Sequence, residues 1–163
     1  MMKRFAAGML LGIFAATLSA GCKRQREETG PFGRPEQRQA DAAAARRIVD
    51  TGISAVNARN LDAVLVLYAD DAVLLPPDGE AVLGKEAIKA YYQSVFEDLS
   101  PELSFSSEEI ITDNAWAFSR GKAVGRVTST KTGAARSVNE KYIMILRRQP
   151  DGSWRIARLM WNR

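Results

Sequence analysis

The feature that most constrains this chain is a change of hydrophobic period at Pro101. Before it, Ile88, Tyr91, Tyr92, Val95, Phe96 and Leu99 follow the spacing three, four, seven, eight and eleven, which is one face of a helix opened by Gly84 and stopped by Pro101. After it, apolar and polar residues alternate in four runs, 103–112, 115–128, 136–148 and 153–161. Turn residues separate them: Asp113 and Asn114, then Lys131, Thr132 and Gly133, then Pro150, Asp151 and Gly152. Four strands joined by tight turns predict an antiparallel meander.

Upstream, Ala45, Val49, Ile53 and Val56 mark one stripe of a helix over 41–58. Asn60 can cap a second, shorter helix whose Leu61, Val64, Leu65 and Tyr68 share a face. Asp70 and Asp71 then turn the chain into a short strand over 72–75, which Pro76, Pro77, Asp78 and Gly79 terminate. Helices first and a sheet afterwards predict an α+β fold: three N-terminal helices covering one face of a curved antiparallel sheet.

Ahead of residue 41 the composition is different. Lys3 and Arg4 precede an uncharged stretch over 5–20, shorter than the ~20 residues a spanning helix needs, so it reads as a secretory signal. It ends in Leu18, Ser19, Ala20 and Gly21, directly before Cys22, the only cysteine. This resembles a bacterial lipoprotein signal, which implies acylation of Cys22, cleavage before it, and, with Lys23 rather than aspartate next, the periplasmic face of an outer membrane. Residues 22–40 are polar, carry Gly30, Pro31, Gly33 and Pro35, and read as a flexible tether. The expected organisation is a signal over 1–21, the tether, and one domain over 41–163.

The formal charge of +4 belongs to the leader and tether, because residues 40–163 hold sixteen basic and sixteen acidic side chains. A neutral domain lacks the electrostatic footprint of a nucleic-acid binder. With no histidine and one cysteine, a Ser-His-Asp triad, a zinc ribbon and a disulfide framework are excluded by inventory, and no cofactor or metal is implied. Within the domain, 40–113 carries nine net negative charges and 114–163 nine net positive, so the two halves should attract; Arg120, Lys122 and Arg126 read as a solvated outer face paired with the helices, against a surface for an anionic ligand or an acidic partner.

Three blocks then occur in order: Tyr68, Ala69, Asp70, Asp71, Ala72 and Val73; Gly84 to Ile88 with Tyr91 and Tyr92; and Asp151 to Ile156 with Trp161 and Asn162. Together they resemble the nuclear-transport-factor-2-like superfamily, in particular its small bacterial and polyketide-cyclase-like members, and more distantly ketosteroid isomerase. The resemblance implies a cone of curved sheet and helices around a pocket. It also implies catalytic positions near Gly52, Pro76 and Met144, where the isomerase has a tyrosine and two aspartates. None of those residue types is present, and Leu159 stands where many relatives have an acid. A proton-transfer enzyme of that kind is disfavoured.

The one weak catalytic candidate is Glu140, which alternates with Val138, Tyr142, Met144 and Leu146 on an otherwise apolar strand face and so can serve as an acid or base. The alternative is a carboxylate at the open strand end, paired with an arginine. Asp70 and Asp71 have no third ligand at a usual metal spacing and suit a turn or helix end. Which sheet face lines the pocket follows only from the resemblance, which turns Tyr142, Met144, Leu159 and Trp161 inward with Glu140 at one end, and Tyr68 and Tyr92 from the helices. Ile143 and Ile145 make the opposite face apolar as well, which suggests a homodimer. The expected function is a lipid-anchored, non-catalytic binder of a small, largely apolar molecule, against an enzyme using Glu140 or a protein-interaction module of the envelope.

Overall fold

The computed structural model describes residues 34–162. The expected signal, the Cys22 anchor and the tether up to residue 33 lie outside the described residues. Helices α1 (Pro35–Asn57) and α2 (Leu61–Leu65) lead into strand β1 (Tyr68–Leu75), the two-residue β2 (Val82–Leu83) and helix α3 (Lys85–Asp98). Four long strands follow: β3 (Leu99–Thr112), β4 (Trp116–Ser129), β5 (Ala135–Arg148) and β6 (Trp154–Asn162). All six strands form one curved, open sheet in the order β2-β1-β6-β5-β4-β3, with the helices packed on one face. The fold is the α+β cone that the sequence predicts.

Three details differ from expectation. Helix α1 begins at Pro35, so the last part of the expected tether is helical. Proline suits the first helical turn, Glu36 faces the positive helix end, and Gln37 donates to Asp41 at 3.0 Å. Polar composition alone did not decide this, because Gln, Arg and Ala are good helix formers. What holds the extension is Asp41, buried and ion-paired with Arg148, which continues the stripe of Ala45 and Val49 by one turn.

Tyr68 opens β1 instead of closing α2, and β1 runs parallel to β6, with Leu74 beside Leu159. The sheet is therefore mixed, not wholly antiparallel. β1 lies between β2 and β6, with Ala72 and Leu74 buried on one face and Val73 and Leu75 half-buried on the other, which explains the apolar run over 72–75. The register shifts between Tyr68 and Val73, and Asp70 and Asp71 project to solvent there. They are strand residues, not a turn, and they diverge: Asp70 faces Lys85 at 3.5 Å, while Asp71 takes two bonds from Arg147 at 2.5 and 2.9 Å.

Leu99, expected on α3, begins β3, and Pro101 lies inside that strand. Ser100 precedes proline and so favours the extended region. Because β3 is an edge strand, the missing N–H is tolerated.

Two buried clusters result. The larger joins Ala45 and Val49 of α1, Ile88, Tyr92 and Phe96 of α3, Tyr68 and Leu74 of β1, and Met144, Leu146, Trp154 and Ile156 of the sheet. The smaller, at the far end of the meander, consists of Ala123, Val127 and Val138 with Leu103 and Phe105 against them.

Candidate functional site

A cavity of about 170 Å3 lies between the two clusters, partly open to solvent. Helix α3 supplies Tyr91, Tyr92 and Val95, the end of α1 supplies Val56, and the concave sheet supplies the rest. Two clamps set its walls. The Asn57 side chain donates to the Leu103 carbonyl at 2.7 Å and accepts from the Leu103 N–H at 2.9 Å, fixing α1 to β3. Thr130, in the β4–β5 turn, donates its hydroxyl to Glu97 O at 2.5 Å and its N–H to Asp98 O at 2.9 Å, while Lys131 pairs with Asp98, fixing the end of α3.

Strand β4 makes the interior space. Its concave residues are Ala117, Ser119, Gly121 and Ala123, all small and buried. A Cβ at Gly121 would lie 1.8 Å from the Ser106 carbonyl and 3.0 Å from the Tyr142 ring, so only glycine lets β3 approach there. Tyr142 fills the gap above it. Its ring stacks on Phe105 with centroids 5.2 Å apart, and its hydroxyl bonds Ser107 at 2.9 Å and lies 3.5 Å from Ser119.

Of the residues expected to line the pocket, Tyr92, Glu140, Tyr142, Leu159 and Trp161 do so. Tyr68 and Met144 do not. Tyr68 stands behind Tyr92, and the two buried hydroxyls share one hydrogen bond of 2.9 Å. Burial pushes the Tyr68 hydroxyl well above its ordinary pKa and the Tyr92 hydroxyl to about 12, so both are neutral hydrogen-bonding groups at any physiological pH. Met144 faces the same side of β5 as Tyr142 but lies deeper in the core, between Ser119 and Leu159. Period two puts Met144 and Tyr142 on one face and says nothing of depth.

Pro101, Leu103 and Phe105 of β3 also line the cavity, as do Val127, Val138 and Arg136. The alternation over 101–107 carried that signal. Tyr91 contacts both Tyr92 and Trp161 edge-on, at centroid distances of 5.6 and 6.4 Å. Its hydroxyl pKa is raised, first by burial and then by the charge of Glu140.

Among the described residues, Glu140 is the cavity's only carboxylate. Its side chain is 11% exposed, and its cationic neighbour is Arg136 on the same face of β5, whose Nη1 lies 3.7 Å from Oε1. Among the described residues it accepts no hydrogen bond, and no three His, Cys, Asp or Glu side chains gather to hold a metal ion. No helix among those residues is long and apolar enough to cross a membrane.

The convex face differs from expectation. Arg120, Lys122 and Arg126 pair with β3 and not with the helices: Arg120 with Glu108 and Glu109 at 2.9 and 2.6 Å, Lys122 with Glu108 at 3.2 Å, Arg126 with Glu102 at 2.9 Å. Adjacent strands place side chains of one face within reach, whereas the helices lie on the other side. Trp116 is also on this face, 5.8 Å under Arg147, and takes no part in the cavity.

The family model for a SnoaL-like domain matches residues 45–158. A ketosteroid isomerase-like protein from Erwinia carotovora atroseptica SCRI1043 superposes with a TM-score of 0.72 at 29% identity, over 75% of this chain and 95% of that one. A conserved protein from Planctomyces limnophilus DSM 3776 gives 0.69, also at 29%, over 75% and 94%. An NTF2-like protein of unknown function from Pseudomonas putida KT2440, 18% identical, shares the fold with a TM-score of 0.63 over 76% and 87%. No curated protein matches the chain.

Proposed function

The chain belongs to the SnoaL-like domain family of the nuclear-transport-factor-2-like superfamily, and from that premise we propose that it binds a small, largely apolar molecule in the cone, without transforming it. The observation that carries this reading is the cavity itself, about 170 Å3 and walled by Tyr91, Tyr92, Phe105, Tyr142, Leu159 and Trp161. A dry cavity of roughly 150 Å3 accepts benzene, so this one suits a single ring or a short alkyl chain. The hydroxyls of Tyr92 and Tyr142 are already committed to protein partners, which leaves their rings as the contact surfaces.

The test follows the indole N–H signal of Trp161 as toluene is titrated into the full chain. A saturable shift, weakened in a folded Trp161→Ala variant, is the expected result; no shift at any concentration sinks the reading. An enzyme using Glu140 as acid or base is the second reading, favoured by the seclusion of that carboxylate in the cavity. A molecule that copurifies and is recovered unchanged supports binding alone, whereas turnover abolished by Glu140→Gln supports the enzyme.

Two further parts of the reading concern place and assembly. Cys22 after Leu18, Ser19, Ala20 and Gly21 supports a lipid anchor at the periplasmic face of the envelope. Cys22→Ser should then block lipid labelling, and a wild-type protein with a free Cys22 thiol would end the idea. The exposed convex side chains Ile111, Trp116, Val124, Ile143 and Met160 support a homodimer across that face. A chain that sediments as a monomer at micromolar concentration refutes it, and a stable hetero-complex lost on changing Ile143 moves the interaction-module reading ahead.

A further inference from the structure

We propose that the molecule taken by this cavity carries a protonated amine, held on the Glu140 carboxylate while its apolar body lies among Tyr91, Trp161 and Tyr142. The inference rests on the small-molecule reading and names the chemical class that this reading leaves open. Its starting point is a carboxylate set in a wall that is otherwise mostly apolar. Glu140 is nine-tenths buried, lies in the cavity wall, and accepts no hydrogen bond among the described residues. A carboxylate has about four acceptor sites, and no protein donor occupies them here, so a ligand donor entering the cavity can.

Arg136 pairs with Glu140 only at long range. Its Nη1 is 3.7 Å from Oε1, beyond hydrogen-bonding distance, and half of its side chain is in solvent. A guanidinium so placed keeps its hydration and can swing outward, which opens Oε1 to an incoming donor. Among the other polar groups of the wall, the Tyr92 hydroxyl is bonded to Tyr68 and that of Tyr142 to Ser107, which leaves the Tyr91 hydroxyl and the Trp161 indole N–H to a ligand beside the carboxylate.

Charge and ring placement then select among ligand classes. An anion would meet Glu140 at close range. A neutral hydroxyl would fill one acceptor site and leave the charge uncompensated. An ammonium supplies donors and the opposite charge together, and charge-assisted bonds are about twice as strong as neutral ones. The surrounding rings favour the same choice. Tyr91 and Trp161 meet edge-on at 6.4 Å and line the same small cavity as Glu140, so a cation held there also meets aromatic surface. The volume allows one ring or a few methylenes and excludes a large polyamine.

The test compares benzylammonium, benzyl alcohol and benzoate, which share one ring and differ in charge, by titration into the full chain at neutral pH. Benzylammonium should bind on the order of tenfold more tightly than benzyl alcohol, with benzoate weakest. Glu140→Gln should abolish the preference while benzyl alcohol still binds, which shows the cavity intact. Should Glu140→Gln fail to fold, Arg136→Gln on the exposed rim gives the independent measurement: loss of the competing cation should raise benzylammonium affinity severalfold. Equal binding of ammonium and alcohol, a preference that persists in Glu140→Gln, or tight benzoate binding lost in Arg136→Gln each overturns the proposal while leaving the small-molecule reading in place. If no probe of any charge binds, both readings fall together.

Discussion

The two ends of the cone interior are built from the same strands and do different work. At the closed end, Leu74, Ile88, Leu146 and Tyr68 are almost wholly buried, and the tyrosine hydroxyls spend their hydrogen bonds on each other. At the open end, Val127, Val138 and Ala123 form a thin cluster beside the Glu140 carboxyl, which accepts no hydrogen bond among the described residues. β4 and β5 run through both. What changes along them is the opposing layer: α1, α3 and β1 pack on the closed end, whereas at the open end only the last turns of α1 and α3 face the sheet, fixed there by the Asn57 and Thr130 clamps. Stability is concentrated at one end of a strand so that the other end can keep an unfilled space.

This contrast breaks most readily at the closed end. Leu146→Ala removes a fully buried side chain from the larger cluster and should cost ~2–5 kcal/mol, read as a fall in the urea midpoint. A loss below ~1 kcal/mol would mean that the closed end is not the stabilising one. Tyr68→Phe leaves the Tyr92 hydroxyl buried without its partner, at ~1–3 kcal/mol. The double change of Tyr68 and Tyr92 to Phe should cost less than twice the single one, because no polar group is then stranded. At the open end, Val138→Ala should cost only ~1–2 kcal/mol, since it removes two methyls from a small cluster already facing a cavity. The same change should alter the affinity of ring-sized probes, which Leu146→Ala should leave nearly intact in protein that remains folded.

The sequence made this division only half legible. Helix α3 was readable because its stripe, from Ile88 through Phe96, faces one continuous core, so burial and period agree. The meander was readable because turn residues punctuate it. The parity of β5 put Glu140, Tyr142 and Met144 on one face and the family resemblance turned that face inward, but only the packing of the larger cluster shows that Met144 lies below the cavity floor. Tyr68 was misassigned because a helix face and a strand start look alike over eight residues, and the partner that decides the matter, β6, lies some ninety residues downstream. The basic stripe of β4 was legible as a stripe, yet its partners Glu102, Glu108 and Glu109 depend on a hairpin register that contains a bulge between Ser107 and Glu109.

The smallest expected effect concerns the convex side of the closed end. There Arg147 binds both carboxylate oxygens of Asp71, bridging β5 to β1 across β6. These hydrogen bonds, more than the charge attraction, hold the Asp71 carboxyl below its ordinary pKa. A carboxyl whose pKa is depressed in the folded state contributes stability that is fully present above its unfolded value, near 3.9, and is lost as pH falls through the folded one. The urea midpoint should therefore decline on acidification below about pH 5, and Asp71→Asn should flatten part of that decline while changing little at neutral pH. The effect is small because the Asp71 side chain is more than half exposed and salt screens the pair. An acid limb identical in wild type and Asp71→Asn would show that the bridge does not tie the closed end together, and that its stability comes from the buried cluster alone.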